Sequence, residues 1–207
     1  MLTALLLATS LTTSAAASPC TTPAADTTRA LYEAGRTFPD FLASVRARKS
    51  TWDGNYAAGA VLDSGLVIRA RAAAGPWRLL VIAVDGCSDS ANTIPWIARL
   101  VEQVPGVELR VVLPGPGAPV MAAHRTPDDR AATPTVVLLD ADWREIGCFI
   151  ERPRPIRDWM LTEKAKVGAD SAAKHKAAWY VADAGRSTVV QVVEMLEAAR
   201  RGTPQCE

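Results

Sequence analysis

The chain has 207 residues, 49% of them hydrophobic, with 23 Lys and Arg against 22 Asp and Glu for a net charge of +1. That balance argues against a nucleic-acid or anionic-membrane partner, which asks for clustered positive charge, and the length suits one domain with extensions. Four cysteines are too few for a disulfide scaffold in a chain of this size.

Residues 1–17, MLTALLLATSLTTSAAA, have a Leu/Ala-rich core followed by an Ala15-x-Ala17 pattern, which reads as a secretory signal peptide. Export to the periplasm or the medium is the expectation. No Lys or Arg precedes the apolar core, which keeps a cytoplasmic protein as the alternative. The run is too short and too rich in Thr and Ser to span a bilayer. Cys20 follows Pro19, a poor lipobox. Residues 18–28 form a small, polar, Pro-containing linker.

Helices are expected at about 26–36 and 39–48, the second with Phe38, Phe41, Leu42 and Val45 on its apolar face. Residues 52–60 look less regular, and 61–76 fit either a short strand or a helix. Residues 79–84 are an unbroken apolar run, half β-branched and free of Gly and Pro, as a buried strand requires. Ile94, Ile97, Val101 and Val104 then recur at helical spacing up to Pro105-Gly106, with Ser88 or Ser90 as N-cap. Residues 107–113 read as the next strand, so a βαβ unit with parallel strands is expected. Pro114-Gly115-Pro116-Gly117 reads as a rigid turn and 119–125 as a short helix. Two strands at 135–139 and 145–150, joined by the short loop 140–143, make an antiparallel hairpin. A helix is expected at 155–166, a solvated charged face at 164–176, and an amphipathic helix at 187–200.

Cys87 falls where a buried strand turns into a helix N-terminus, where free N–H groups and the dipole favour a thiolate. Asp85 and Asp89 flank it, and their negative charge opposes that effect. Pro95 stands eight residues on. Ala132-Thr133-Pro134-Thr135 leads into a strand, and Glu151-Arg152-Pro153 follows the next one. Taken together these features resemble the thioredoxin superfamily, in particular bacterial thioredoxin-like proteins with a Cys-x-Asp-Ser or Cys-x-Asp-Cys motif. The resemblance covers roughly residues 30–200. It implies an α/β thioredoxin-like fold, a mixed central sheet flanked by helices, with extra helices at both ends. The expected organisation is a signal peptide at 1–17, a linker and helical extension at 18–60, and a thioredoxin-like domain at 61–205.

The resemblance also assigns roles. Cys87 is the nucleophile, Ser90 takes the place of the resolving cysteine, and Thr133 and Pro134 form the cis-proline loop that lines up a substrate chain. Asp85 and Asp89 modulate the thiol. The motif Gly86-Cys87-Ser88-Asp89-Ser90 departs from Trp-Cys-x-x-Cys at both ends. A hydroxyl cannot close a disulfide, so a mixed disulfide on Cys87 needs a second thiol to resolve it. The expected activity is a monothiol thiol–disulfide oxidoreductase acting on a protein or small-molecule thiol or disulfide. A redox-inactive thioredoxin-fold binding module is the alternative. No cofactor, nucleic acid or membrane span is expected. His124 and His175 lack partner spacing for a metal site. Cys148 reads as structural, and Cys20 and Cys206, near the two termini, are candidates to pair after export.

Overall fold

The computed structural model describes residues 24–206; the signal-peptide reading and Cys20 lie outside them. The elements, in chain order, are α1 (Ala25–Ala34), α2 (Phe38–Ser44), α3 (Lys49–Ala58), α4 (Ser64–Ala73), β1 (Trp77–Ile82), α5 (Ser88–Glu102), β2 (Val107–Val112), α6 (Pro114–Ala123), β3 (Thr135–Leu139), β4 (Glu145–Ile150), α7 (Arg154–Val167), α8 (Ala169–Asp183), α9 (Arg186–Arg200) and β5 (Gln205–Cys206). The strands make one sheet in the order β2-β1-β3-β4-β5. β1 is parallel to β2 and antiparallel to β3, β3 is antiparallel to β4, and β4 is parallel to β5. The sheet is therefore mixed, with the apolar run of 79–84 feeding an interior strand.

β1 is unbroken apolar from Leu79 to Ile82, all fully buried, because both of its faces are covered there. Leu79 and Val81 join a core with Ile94 and Ile97 of α5 and Val192, Val193 and Leu196 of α9. Leu80 and Ile82 face the opposite way, toward Tyr32 of α1 and Val120 of α6. Along a strand successive side chains alternate between faces, and here each face has its own helical layer. α6 lies close on β1: a Cβ at Gly117 would stand 2.6 Å from Ile82 Cγ1. Its helix opens at Pro114, where the missing N–H costs nothing, so the segment expected as a rigid turn is the first turn of a helix.

Two further expectations are corrected, and the choice left open for residues 61–76 is decided in favour of a helix. Residues 49–58 are a regular helix, because Trp52 is fully buried and anchors α3 against the segment after β1. Residues 64–73 are helical, with Asp63 accepting from the Leu66 N–H as an N-cap; Leu66, Val67, Ala70 and Ala73 give that helix its buried face. The charged stretch 164–176 is not merely a solvated face. It runs from α7 into α8, and it delivers Lys176 to a partly buried ion pair. The short β5 was not foreseen. It lies beside β4, and Cys148 and Cys206 are joined there by a disulfide, so Cys206 pairs with Cys148 rather than with Cys20. None of the described helices is long and apolar enough to cross a membrane.

Candidate active site

The residues between β1 and α5 are held from behind by α3 and its approach. Trp52 Nε1 donates to the Asp85 carbonyl at 3.0 Å, and Arg48 Nε to the Gly86 carbonyl at 2.8 Å. The Asp85 carboxylate accepts the backbone N–H groups of Ala47 and Arg46 at 2.9 and 3.0 Å. Those two donors hold its carboxyl below the usual carboxylate range, Ala47 contributing most. Gly86 leaves open space, a Cβ there meeting only Ala47 Cβ at 4.0 Å.

Cys87, a free cysteine of intermediate exposure, is itself the N-cap of α5. Its Sγ accepts from the Ser90 N–H at 3.4 Å. Neither Ser88 nor Ser90 caps the helix, because the thiol already takes the orphan N–H of its first turn. On its other side Cys87 Sγ lies 3.1 Å from the Thr133 carbonyl, to which the thiol donates. The Thr133–Pro134 peptide is cis. Chain segments 46 residues apart are thus brought into direct contact, with Cys87, Ser90 and Thr133 meeting at one point. Ser90 is fully buried, and its Oγ has no hydrogen-bond partner among the described residues.

Inside α5, Pro95 has no N–H to give the Ala91 carbonyl. Asn55 of α3 supplies the donor, its Nδ2 standing 2.9 Å from Ala91 O. The proline is therefore accommodated by a side chain from the helix that also braces the Cys87 loop.

Asp89 is buried and fully engaged. Lys176 Nζ meets its Oδ2 at 2.8 Å and its Oδ1 at 3.0 Å, the Tyr180 hydroxyl donates to Oδ1 at 2.8 Å, and Arg152 Nη2 reaches Oδ2 at 3.2 Å. Arg152 also pairs with Glu151, which in turn holds Arg130 at 3.0 Å. Glu151 N donates to the Pro134 carbonyl at 2.7 Å, so the residues after β4 clamp the Pro134 loop and the start of α5 together. The Asp89 negative charge that the sequence sets against the thiol is balanced here by two cations. Burial, followed by the Asp89 charge, pushes the Tyr180 hydroxyl well above its ordinary value. It therefore serves as a neutral donor. Lys176 and Tyr180, one turn apart on α8, are site residues that sequence reasoning missed. Their i, i+4 spacing shows that they share a helix face but does not say what that face meets. The donor set that a metal could use lies elsewhere among the described residues, around His124.

The family model described as thioredoxin matches residues 35–172. The chain belongs to the thioredoxin family. The solved structures agree on the fold. A protein of unknown function from Pseudomonas aeruginosa superposes with a TM-score of 0.60 at 23% identity, covering 82% of this chain and 96% of that one. An HIV epitope scaffold carrying the 4E10 label superposes with a TM-score of 0.62 at 21% identity, covering 84% of this chain and 97% of that one. No curated protein matches the chain.

Proposed function

We propose that this thioredoxin-family protein is a monothiol thiol–disulfide oxidoreductase acting through Cys87. The observation that carries the reading is the position of Cys87 Sγ between the Ser90 N–H and the Thr133 carbonyl, at a helix N-terminus that favours negative charge. In the proposed cycle the Cys87 thiolate attacks one sulfur of a substrate disulfide. A Cys87–substrate disulfide forms, the substrate S–S bond breaks, and the departing thiolate takes up a proton. An external thiol, as its thiolate, then attacks the mixed disulfide and releases Cys87. Backbone groups at Thr133 and Pro134 would align the substrate chain, which is a protein or a small-molecule disulfide. The Ala15-x-Ala17 leader supports export, where such substrates are found.

A redox-inactive binding module is the second reading, favoured by the buried Ser90 hydroxyl in the resolving position. Trapping in the native cell separates the two. The oxidoreductase reading expects mixed disulfides on the parent protein that vanish in Cys87→Ser, together with rapid alkylation of Cys87. Absence of adducts, with Cys87 alkylating as slowly as a buried thiol, would establish the binding module instead.

A further inference from the structure

Away from the Cys87 loop, on the sheet face covered by α1 and α6, four side chains with metal-ligating atoms converge. They are His124 at the end of α6, Glu145 and Cys148 of β4, and Cys206 of β5, and their ligand atoms all lie within 4.8 Å of one another. His124 Nε2 stands 2.7 Å from Glu145 Oε1, and Cys206 Sγ 3.5 Å from the same oxygen.

A local irregularity in the sheet creates this convergence. Residues 145 and 148 are three apart, and in a regular strand they would point to opposite faces. The β3–β4 register shifts between Leu138 and Leu139: Leu138 pairs with Gly147 and Leu139 with Glu145, leaving Ile146 as the extra residue of a bulge. The bulge turns the Glu145 carboxylate onto the side where Cys148 points. The histidine is also pre-set. Its Nδ1 lies 2.8 Å from the Val120 carbonyl; a carbonyl can only accept, so Nδ1 carries a hydrogen and Nε2 is directed inward. Metal-ligating histidines are commonly held this way, by a backbone carbonyl on the other ring nitrogen.

We propose that His124, Glu145, Cys148 and Cys206 form a zinc site in the reduced protein, and that the Cys148–Cys206 disulfide is the alternative, metal-free state of the same four residues. Two thiolates, an imidazole and a carboxylate are a donor set suited to tetrahedral Zn²⁺. With Zn–S near 2.3 Å and Zn–N near 2.0–2.1 Å, the edges of such a tetrahedron run to about 3.3–3.8 Å, so the site is completed by parting the two sulfurs. Reduction by a dithiol transfers two electrons and two protons to the disulfide, leaving two thiols and a cyclic disulfide product. Zn²⁺ then displaces both thiol protons and the proton shared between His124 Nε2 and the Glu145 carboxylate, and three protons leave to solvent as two Zn–S bonds, the Zn–N bond and the Zn–O bond form. An external disulfide reverses this: it takes two electrons and becomes two thiolates, the Cys148–Cys206 bond reforms, and Zn²⁺ leaves. The metal would tie the end of α6, β4 and the short β5 together, independently of Cys87.

The test uses the full chain, reduced with a phosphine under argon, and titrated with CoCl₂ and then ZnCl₂. The expected result is about one Co²⁺ per chain, with a thiolate charge-transfer band and intense tetrahedral d–d bands, both bleached by Zn²⁺. The oxidised chain should give neither band. Cys206→Ser removes the disulfide, which reduction breaks in the parent as well, so the two are compared as reduced chains shown to be folded by circular dichroism; the variant should lose a large part of the charge-transfer intensity and bind at least about tenfold more weakly, as should His124→Gln. Cys87→Ser should bind like the parent. A reduced, folded chain showing only the spectrum of aqueous Co²⁺, a Cys206→Ser variant that binds like the parent, or loss of binding in Cys87→Ser would each overturn the proposal.

Discussion

Lys176 closes on Asp89 at 2.8 Å across 87 residues of chain, and this contact seats α8 over the start of the helix that Cys87 caps. The pair is not isolated, since Arg152 and the Tyr180 hydroxyl share the same carboxylate. Removing one member of a buried ion network leaves the others uncompensated, and the cost depends on which member goes.

Asp89→Ala should therefore destabilise the protein by about 3–5 kcal/mol, because it leaves the Lys176 ammonium without its carboxylate and Arg152 with Glu151 alone. Lys176→Met should cost distinctly less, since Arg152 and Tyr180 still satisfy Asp89. Urea-unfolding midpoints measure both. Equal losses in the two variants would mean that the network is solvated and carries no burial penalty.

Ser90 offers the opposite case. A buried hydroxyl without a partner carries a desolvation cost of about 1–3 kcal/mol. Ser90→Ala removes that cost at the loss of one oxygen, and should be neutral or stabilising by up to about 1 kcal/mol. A clear loss of thermal stability would show that the hydroxyl has a partner that matters.

Ser90→Cys tests the geometry of the motif. It creates a Cys-x-x-Cys pair, which under the proposed alignment of Cys87 and Ser90 should bring the two sulfurs to bonding distance. Turnover in an insulin-reduction assay should be very weak in the parent and measurable in Ser90→Cys, and it should vanish when Cys87→Ala is added. If mild oxidation closes no internal disulfide in Ser90→Cys, the proposed alignment of Cys87 and Ser90 is wrong, whichever function holds.

Asp85 predicts a pH effect of known sign. The N–H groups of Ala47 and Arg46 depress its folded-state value. Its contribution is therefore complete above the unfolded carboxyl value of about 3.9 and is lost as pH falls through the lower folded value. Asp85→Asn has no charge to lose. The stability gap between parent and variant should be widest near neutrality and shrink below about pH 4. A gap that stays constant down to about pH 3 would show that the carboxylate is not selectively stabilised by folding.

The strands, the helix after Cys87 and the hairpin were legible because each rests on local patterning. Residues 79–84 must be buried on both faces, and Ile94, Ile97 and Val101 repeat with the helical period. Helices α3 and α4 were less legible, since their positions depend on what Trp52 and Leu66 are packed against rather than on a clean amphipathic period.

The sequence by itself determined the class of fold and the place of Cys87 at a strand-to-helix junction, because hydrophobic periodicity and turn residues act over a few neighbours. Only the tertiary structure decided the partners. Asp89 meets Lys176 and Tyr180, Cys148 meets Cys206, and His124 meets Glu145 through contacts spanning between 21 and 91 residues. No local spacing encodes such pairs. Their charges and thiols come together because the helices on the two faces of one sheet must bury their apolar sides, and that packing carries the polar groups with it.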